Sequence, residues 1–144
     1  MKINKILISV LLILSCLFFV GCKKQSDPLA DLFWHLTELN GNPVVAVAGR
    51  EPNLTFQKEK STVAGSGGVN RFSGQYTSGK NKALSFSPLA ATQMAGLPQA
   101  METEDGFFKA LAQTQKYELP EAGRLNLLDA YGNIIAVLEA VTYQ

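Results

Sequence analysis

Gly65-Ser66-Gly67-Gly68-Val69-Asn70-Arg71-Phe72-Ser73-Gly74 is the stretch on which the reading of this chain turns. Four glycines in ten residues surround one Asn-Arg pair and one aromatic ring. Such density predicts backbone at positive φ, or neighbouring strands that approach closely. Thr62-Val63-Ala64 before it reads as strand, and Phe72, Gly74 and Tyr76 alternate after it as another. The stretch is therefore a strand, a tight glycine turn and a returning strand, around which the fold is expected to close.

Working outward, the same two-residue period recurs on both sides. Trp34-His35-Leu36-Thr37-Glu38-Leu39 alternates, and Asn40-Gly41 is a strong two-residue hairpin signal. Val44 to Val47 is expected to return as the partner of that strand. Leu54 and Phe56 share one face of a further strand, Leu84 and Phe86 of another. The period changes between Glu102 and Gln115, where Phe107, Phe108, Leu111 and Ala112 recur at helical spacing. Glu102, Glu104 and Asp105 then fall in the first helical turn, where the helix dipole favours negative charge. Arg124–Leu128 and Ile134–Val141 make a last hairpin across residues 129–133. No strand–helix alternation of the kind a parallel sheet needs is present. The expected fold is α+β: about seven or eight mostly antiparallel strands, curled or barrel-like, with one main helix.

The order of short motifs resembles the META domain of HslJ-like bacterial lipoproteins. The family core, approximately G-C-N-R-F-x-G, aligns with Gly68 to Gly74, and T-x-M-A-C aligns with Thr92-Gln93-Met94-Ala95-Gly96. An opening W-x-L-x-x-L-N-G matches Trp34 to Gly41. An acidic helix entry has its counterpart in Glu104 to Leu111, and a closing hairpin in Leu125 to Val141. The resemblance covers essentially the whole chain after residue 33. It departs at the cysteines of two blocks, which are Val69 and Gly96 here. If those cysteines bridge in the family, this chain forgoes a crosslink typically worth about 2–4 kcal/mol.

The amino terminus reads as an address. Lys2 and Lys5 precede an apolar run from Ile6 to Val20, followed by Gly21-Cys22-Lys23-Lys24. That pattern is a secretory signal, and Phe19-Val20-Gly21-Cys22 resembles a bacterial lipobox with Cys22 as the lipidated residue. Ile13-Leu14-Ser15-Cys16 is a rival; Cys22 is preferred because the polar run starts only after it. Three units follow: a signal peptide at 1–21, the lipidated cysteine with its tether at 22–32, and the domain at 33–144. Lipidation would hold the protein at the membrane, and Lys23 points to the periplasmic face of an outer membrane.

Removing residues 1–21 leaves 123 residues with 11 basic and 12 acidic side chains. That balance argues against a nucleic-acid partner, and the mature chain is expected to be a monomer. With Cys22 lipidated no thiol remains, so no disulfide, cysteine nucleophile or cysteine metal site is expected. His35, the single histidine, sits on the strand face opposite Trp34 and is read as solvent-exposed. No nucleophile stands beside a base, no metal-ligand spacing occurs, and no cofactor is implied. The candidate binding residues are Asn70, Arg71 and Thr92. Arg71 has the geometry to grip a carboxylate or phosphate, or alternatively pairs with a helix acid such as Glu104. Trp34, Phe56, Phe72, Phe86, Phe107 and Phe108 are expected core.

The resemblance implies a non-enzymatic envelope lipoprotein in a heat-shock or envelope-stress setting, with an envelope protein as partner. The alternative is a carrier of an apolar ligand, or a pilot-like chaperone for an outer-membrane partner. That second reading needs an open apolar cavity inside the curled sheet.

Overall fold

The computed structural model describes residues 27–141; the assignments at Cys16 and Cys22 lie outside them. Ten strands and one long helix are described: β1 (Phe33–Leu39), β2 (Asn42–Pro43), β3 (Asn53–Gln57), β4 (Thr62–Ser66), β5 (Arg71–Ser78), β6 (Leu84–Phe86), β7 (Ala90–Ala91), α1 (Pro98–Gln113), β8 (Lys116–Glu118), β9 (Arg124–Leu128) and β10 (Ile134–Val141). Every ladder is antiparallel, in the order β6-β5-β4-β3-β1-β10-β9-β8, with β2 added to β1 and β7 to β5. The two ends of that path nearly meet. Ala83 bridges to Lys116, and the Leu84 N–H donates to the Gln115 carbonyl at 3.1 Å. The sheet is a nearly closed barrel, which removes most of its exposed edge, and the fold is α+β.

Alternation decides what fills the barrel. Trp34 and Leu36, Leu54 and Phe56, Phe72 and Tyr76, and Leu125 and Leu127 all turn inward and are buried with Val63, Leu84 and Leu138. Phe107, Ala110 and Leu111 of α1 complete the same core. Phe56 meets Tyr76 edge-on at 4.9 Å, and Phe72 meets Phe107 edge-on at 6.1 Å. Phe86 and Phe108 are only half-buried at its margin. The barrel interior is occupied by side chains.

Three local expectations are corrected. Only Asn42 and Pro43 return as a strand along β1; the chain leaves it after Val44, and Val45 is 82% exposed. The Asn40-Gly41 turn does form, with φ of 50° and 78°, and pairing ends after the Val44 N–H bonds the Thr37 carbonyl at 2.9 Å. The helix begins at Pro98, not near Glu102, so no acidic residue lies in its first turn. Proline at the first helical position lacks an N–H that would be unpaired there anyway. Leu29, within the expected tether, is fully buried and accepts the Trp34 indole N–H at 3.1 Å, so packing begins four residues before Phe33.

Candidate functional site

β4 ends at Ser66 and β5 begins at Arg71, so Gly67, Gly68, Val69 and Asn70 form the turn. The Gly67 N–H donates to the Asn70 carbonyl at 2.8 Å, and Gly68 sits at φ +110°, a region glycine tolerates best. Gly67 is needed for a different reason: a Cβ there would stand 2.6 Å from Glu104 Oε2. The glycines thus let a helix carboxylate reach the turn backbone.

Glu104 is on the buried face of α1, one turn ahead of Phe107 and two ahead of Leu111, and is only 2% exposed. Its Oε2 accepts the Val69 N–H at 3.0 Å and the Asn70 N–H at 2.5 Å, while its Oε1 accepts Asn70 Nδ2 at 2.6 Å. Asn70 is equally buried, and its amide is saturated. Nδ2 also donates to the Met94 carbonyl at 3.2 Å. Oδ1 accepts the Thr92 hydroxyl at 2.9 Å and the Met94 N–H at 2.7 Å. An asparagine amide has two donors and two lone pairs, and all four are used. Asn70 therefore ties three segments together: the glycine turn, residues 92–94 and α1.

Thr92 belongs to the same clamp, since its hydroxyl oxygen accepts the Arg71 N–H at 3.2 Å. Arg71 does not pair with Glu104. Its side chain is exposed, and among the described residues its guanidinium makes no ion pair. Asn70 holds the carboxylate instead, because the two-residue period of β5 sends Phe72 inward and Arg71 out. Sequence reasoning placed Glu104 at a helix start and missed this role. The signal was available in the spacing of Glu104, Phe107 and Leu111, which puts all three on one face. Glu102 and Asp105 are exposed and diverge from Glu104. His35 is half-buried rather than solvent-exposed, its ring edge-on to Phe33 at 5.0 Å.

Beside the clamp lies a cleft of about 430 Å³ that the sequence reading did not foresee. One wall is Val45–Val47 with Arg50 and Pro52, the floor is Gly67–Val69, and the other wall is Leu97, Ala100 and Thr103 of the α1 entry. Val47 and Leu97 are 50% and 69% exposed. A second cleft of about 270 Å³ adjoins it, sharing Val45, Gln99 and Thr103 and reaching Leu39 and Glu102. Arg50 and Glu102 make no ion pair among the described residues. At the opposite end of β3 the surface is polar: Asp27, Lys58, Ser61 and Gln75 surround Tyr76. Burial, reinforced by the Asp27 carboxylate, holds the Tyr76 hydroxyl above its usual pKa.

Three solved structures share this architecture. An NMR structure of a protein from Burkholderia xenovorans is 22% identical with a TM-score of 0.62, covering 81% of this chain and 90% of that one. A second NMR structure is 28% identical with a TM-score of 0.60, covering 79% and 94%. The crystal structure of a DUF4847 family protein from Bacteroides vulgatus ATCC 8482 is 17% identical with a TM-score of 0.58, covering 81% and 96%. No match was found among curated proteins. The sequence model of the META domain matches residues 27–142, from Leu29's turn to the last strand, and the chain belongs to the META domain family.

Proposed function

We propose that this chain is a lipid-anchored protein of the cell envelope, without catalytic chemistry, that holds an envelope protein partner in the cleft beside the glycine turn. The observation that carries this reading is the exposure of Val45, Val47 and Leu97 around one concave surface. Contiguous exposed apolar surface on a small domain marks an interaction site. The Asn70–Glu104 clamp fits a supporting role, because it fixes the floor of the cleft against its helical wall. The lipobox-like residues before Cys22 supply the membrane address.

The test is photo-crosslinking in the native host. A photoreactive side chain replaces Val47 or Leu97 in the cleft, or Lys60 at the far end of β3 as the control. A discrete adduct from both cleft positions and none from Lys60 supports the reading; equal or absent adducts overturn it. Cys22→Ser should abolish incorporation of labelled fatty acid and release the protein from membranes. The carrier alternative loses its natural place, because the barrel interior is filled by Trp34, Phe56, Phe107 and their neighbours.

A further inference from the structure

Residues 44–48 read Val-Val-Ala-Val-Ala, a sequence with the composition of a strand. Beyond Val44, that strand has no partner strand among the described residues. The Val44 N–H donates to the Thr37 carbonyl at 2.9 Å and the Val47 carbonyl accepts the Arg50 N–H at 2.8 Å. Val45, Ala46 and Ala48 make no hydrogen bond among the described residues. A run of unpaired backbone donors and acceptors beside an apolar groove is a template for strand addition.

Two further observations define what fits there. Arg50 lines the larger cleft and Glu102 the smaller, neither neutralised by an ion pair among the described residues, so the groove has a basic and an acidic end. The groove also lies far from the end at which the chain enters the domain. Asp31 donates its N–H to the Phe56 carbonyl and Ala30 bridges to Phe56, whereas Arg50 and Pro52 precede Asn53 at the other end of β3. β3 alone separates the two ends by about 13 Å at roughly 3.3 Å per residue. The groove thus lies at the end of β3 away from the segment that leads into the domain.

We infer that the groove binds an extended apolar peptide segment of a partner protein, added as a strand along Val45–Ala48, with an acidic side chain toward Arg50 and a basic one toward Glu102. This rests on the proposed partner-holding role of the cleft and adds the chemistry of the partner. Main-chain pairing supplies affinity, and alternate side chains entering the cleft supply selectivity.

The experiment measures fluorescence polarisation of a labelled hexapeptide, Glu-Val-Thr-Val-Ile-Lys, against the soluble domain from residue 23. Saturable binding is expected, weakened roughly ten-fold or more by N-methylation of alternate peptide nitrogens or by Ala46→Pro in the domain. Val47→Asp, at an exposed position, should weaken it too, with thermal unfolding of both variants verified as near wild type. A peptide with lysine in place of its glutamate should bind Arg50→Glu better than wild type. No saturable binding up to about 1 mM, or equal binding of the N-methylated peptide, overturns the inference. So does displacement by dodecanoate at matching affinity, which would make the cleft an apolar-ligand site. A crosslink in cells at Val47 that Ala46→Pro leaves intact would sink strand addition while the partner-holding role stands. Loss of that crosslink in the wild type would sink the role itself.

Discussion

Gly96 lies directly against the side chain of Val69. A Cβ at Gly96 would stand 2.6 Å from Val69 Cγ2 and 3.3 Å from Val69 Cβ. The branched side chain of one residue fills the space left by the missing side chain of the other. These are the two positions at which the family pattern resembled here carries cysteine. The 3.3 Å separation falls just short of the roughly 3.5–4.5 Å between Cβ atoms of a disulfide. Removing the valine methyls frees room for that small adjustment. The double variant Val69→Cys/Gly96→Cys should therefore oxidise spontaneously and gain about 2–4 kcal/mol of stability. Thiol titration and thermal unfolding with and without reductant check it. Gly96→Ala alone should destabilise, because its methyl meets Val69 with nothing removed.

Glu104→Gln should cost about 2–4 kcal/mol. The carboxylate accepts three N–H groups in a buried site, and hydrogen bonds to charged acceptors are worth about 1.5–3 kcal/mol each. An amide presents only one acceptor oxygen and turns an NH2 toward donors. Asn70→Ala should cost a similar amount or more by orphaning the Met94 N–H and Glu104 Oε1, while Glu104 Oε2 keeps its two backbone donors. Because the two residues share bonds, the double variant should cost clearly less than their sum. Urea unfolding of the four proteins measures this cycle, and additivity within about 0.5 kcal/mol would refute a shared clamp.

Arg71→Ala should leave stability within about 0.5 kcal/mol, as expected for an exposed side chain whose guanidinium makes no ion pair among the described residues. Denaturation of this variant beside Asn70→Ala separates two neighbours that the sequence presents as one motif. A loss above about 1 kcal/mol would mean that the guanidinium is engaged after all.

What was legible in the sequence follows from what local pattern can carry. The glycine turn, the Asn40-Gly41 turn, the last hairpin and the helix all have short-range signatures, and all are found. The α+β barrel follows from them and from the absence of strand–helix alternation. Lys116–Glu118 and Ala90–Ala91 were not foreseen as strands, because their pairing is set by distant partners: Tyr117 opposite Leu127, and Ala91 opposite Phe72. Val44–Val47 has strand composition, but its pairing with β1 stops after the Val44 N–H, and local composition does not say where a ladder stops. At the site, the importance of Asn70 was legible and its partner was not. Charge intuition joined Glu104 to Arg71, whereas geometry joined it to backbone N–H groups and an amide. The cleft is a product of three segments far apart in sequence, and no period announces such a surface.

Asp129 gives a pH-dependent check on the last hairpin. Its Oδ1 accepts the Tyr131 and Asn133 N–H groups, both at 2.9 Å, and its Oδ2 accepts Asn133 Nδ2 at 3.0 Å. The Asn133 side chain is the largest influence, and together these donors hold the carboxyl below the usual aspartate pKa. Hydrogen bonds to the charged form favour it. A carboxyl whose pKa is lower folded than unfolded contributes stability above its unfolded pKa and loses it as pH falls through the folded value. The contribution should thus be intact at neutral pH and vanish in acid, below the ordinary aspartate range. Asn133→Ala should raise the Asp129 pKa toward normal and shift the acid loss of stability upward in pH. Titration of the side-chain carboxyl resonance by NMR in both proteins decides it: an unchanged midpoint would mean that the backbone N–H groups alone set the charge of this turn.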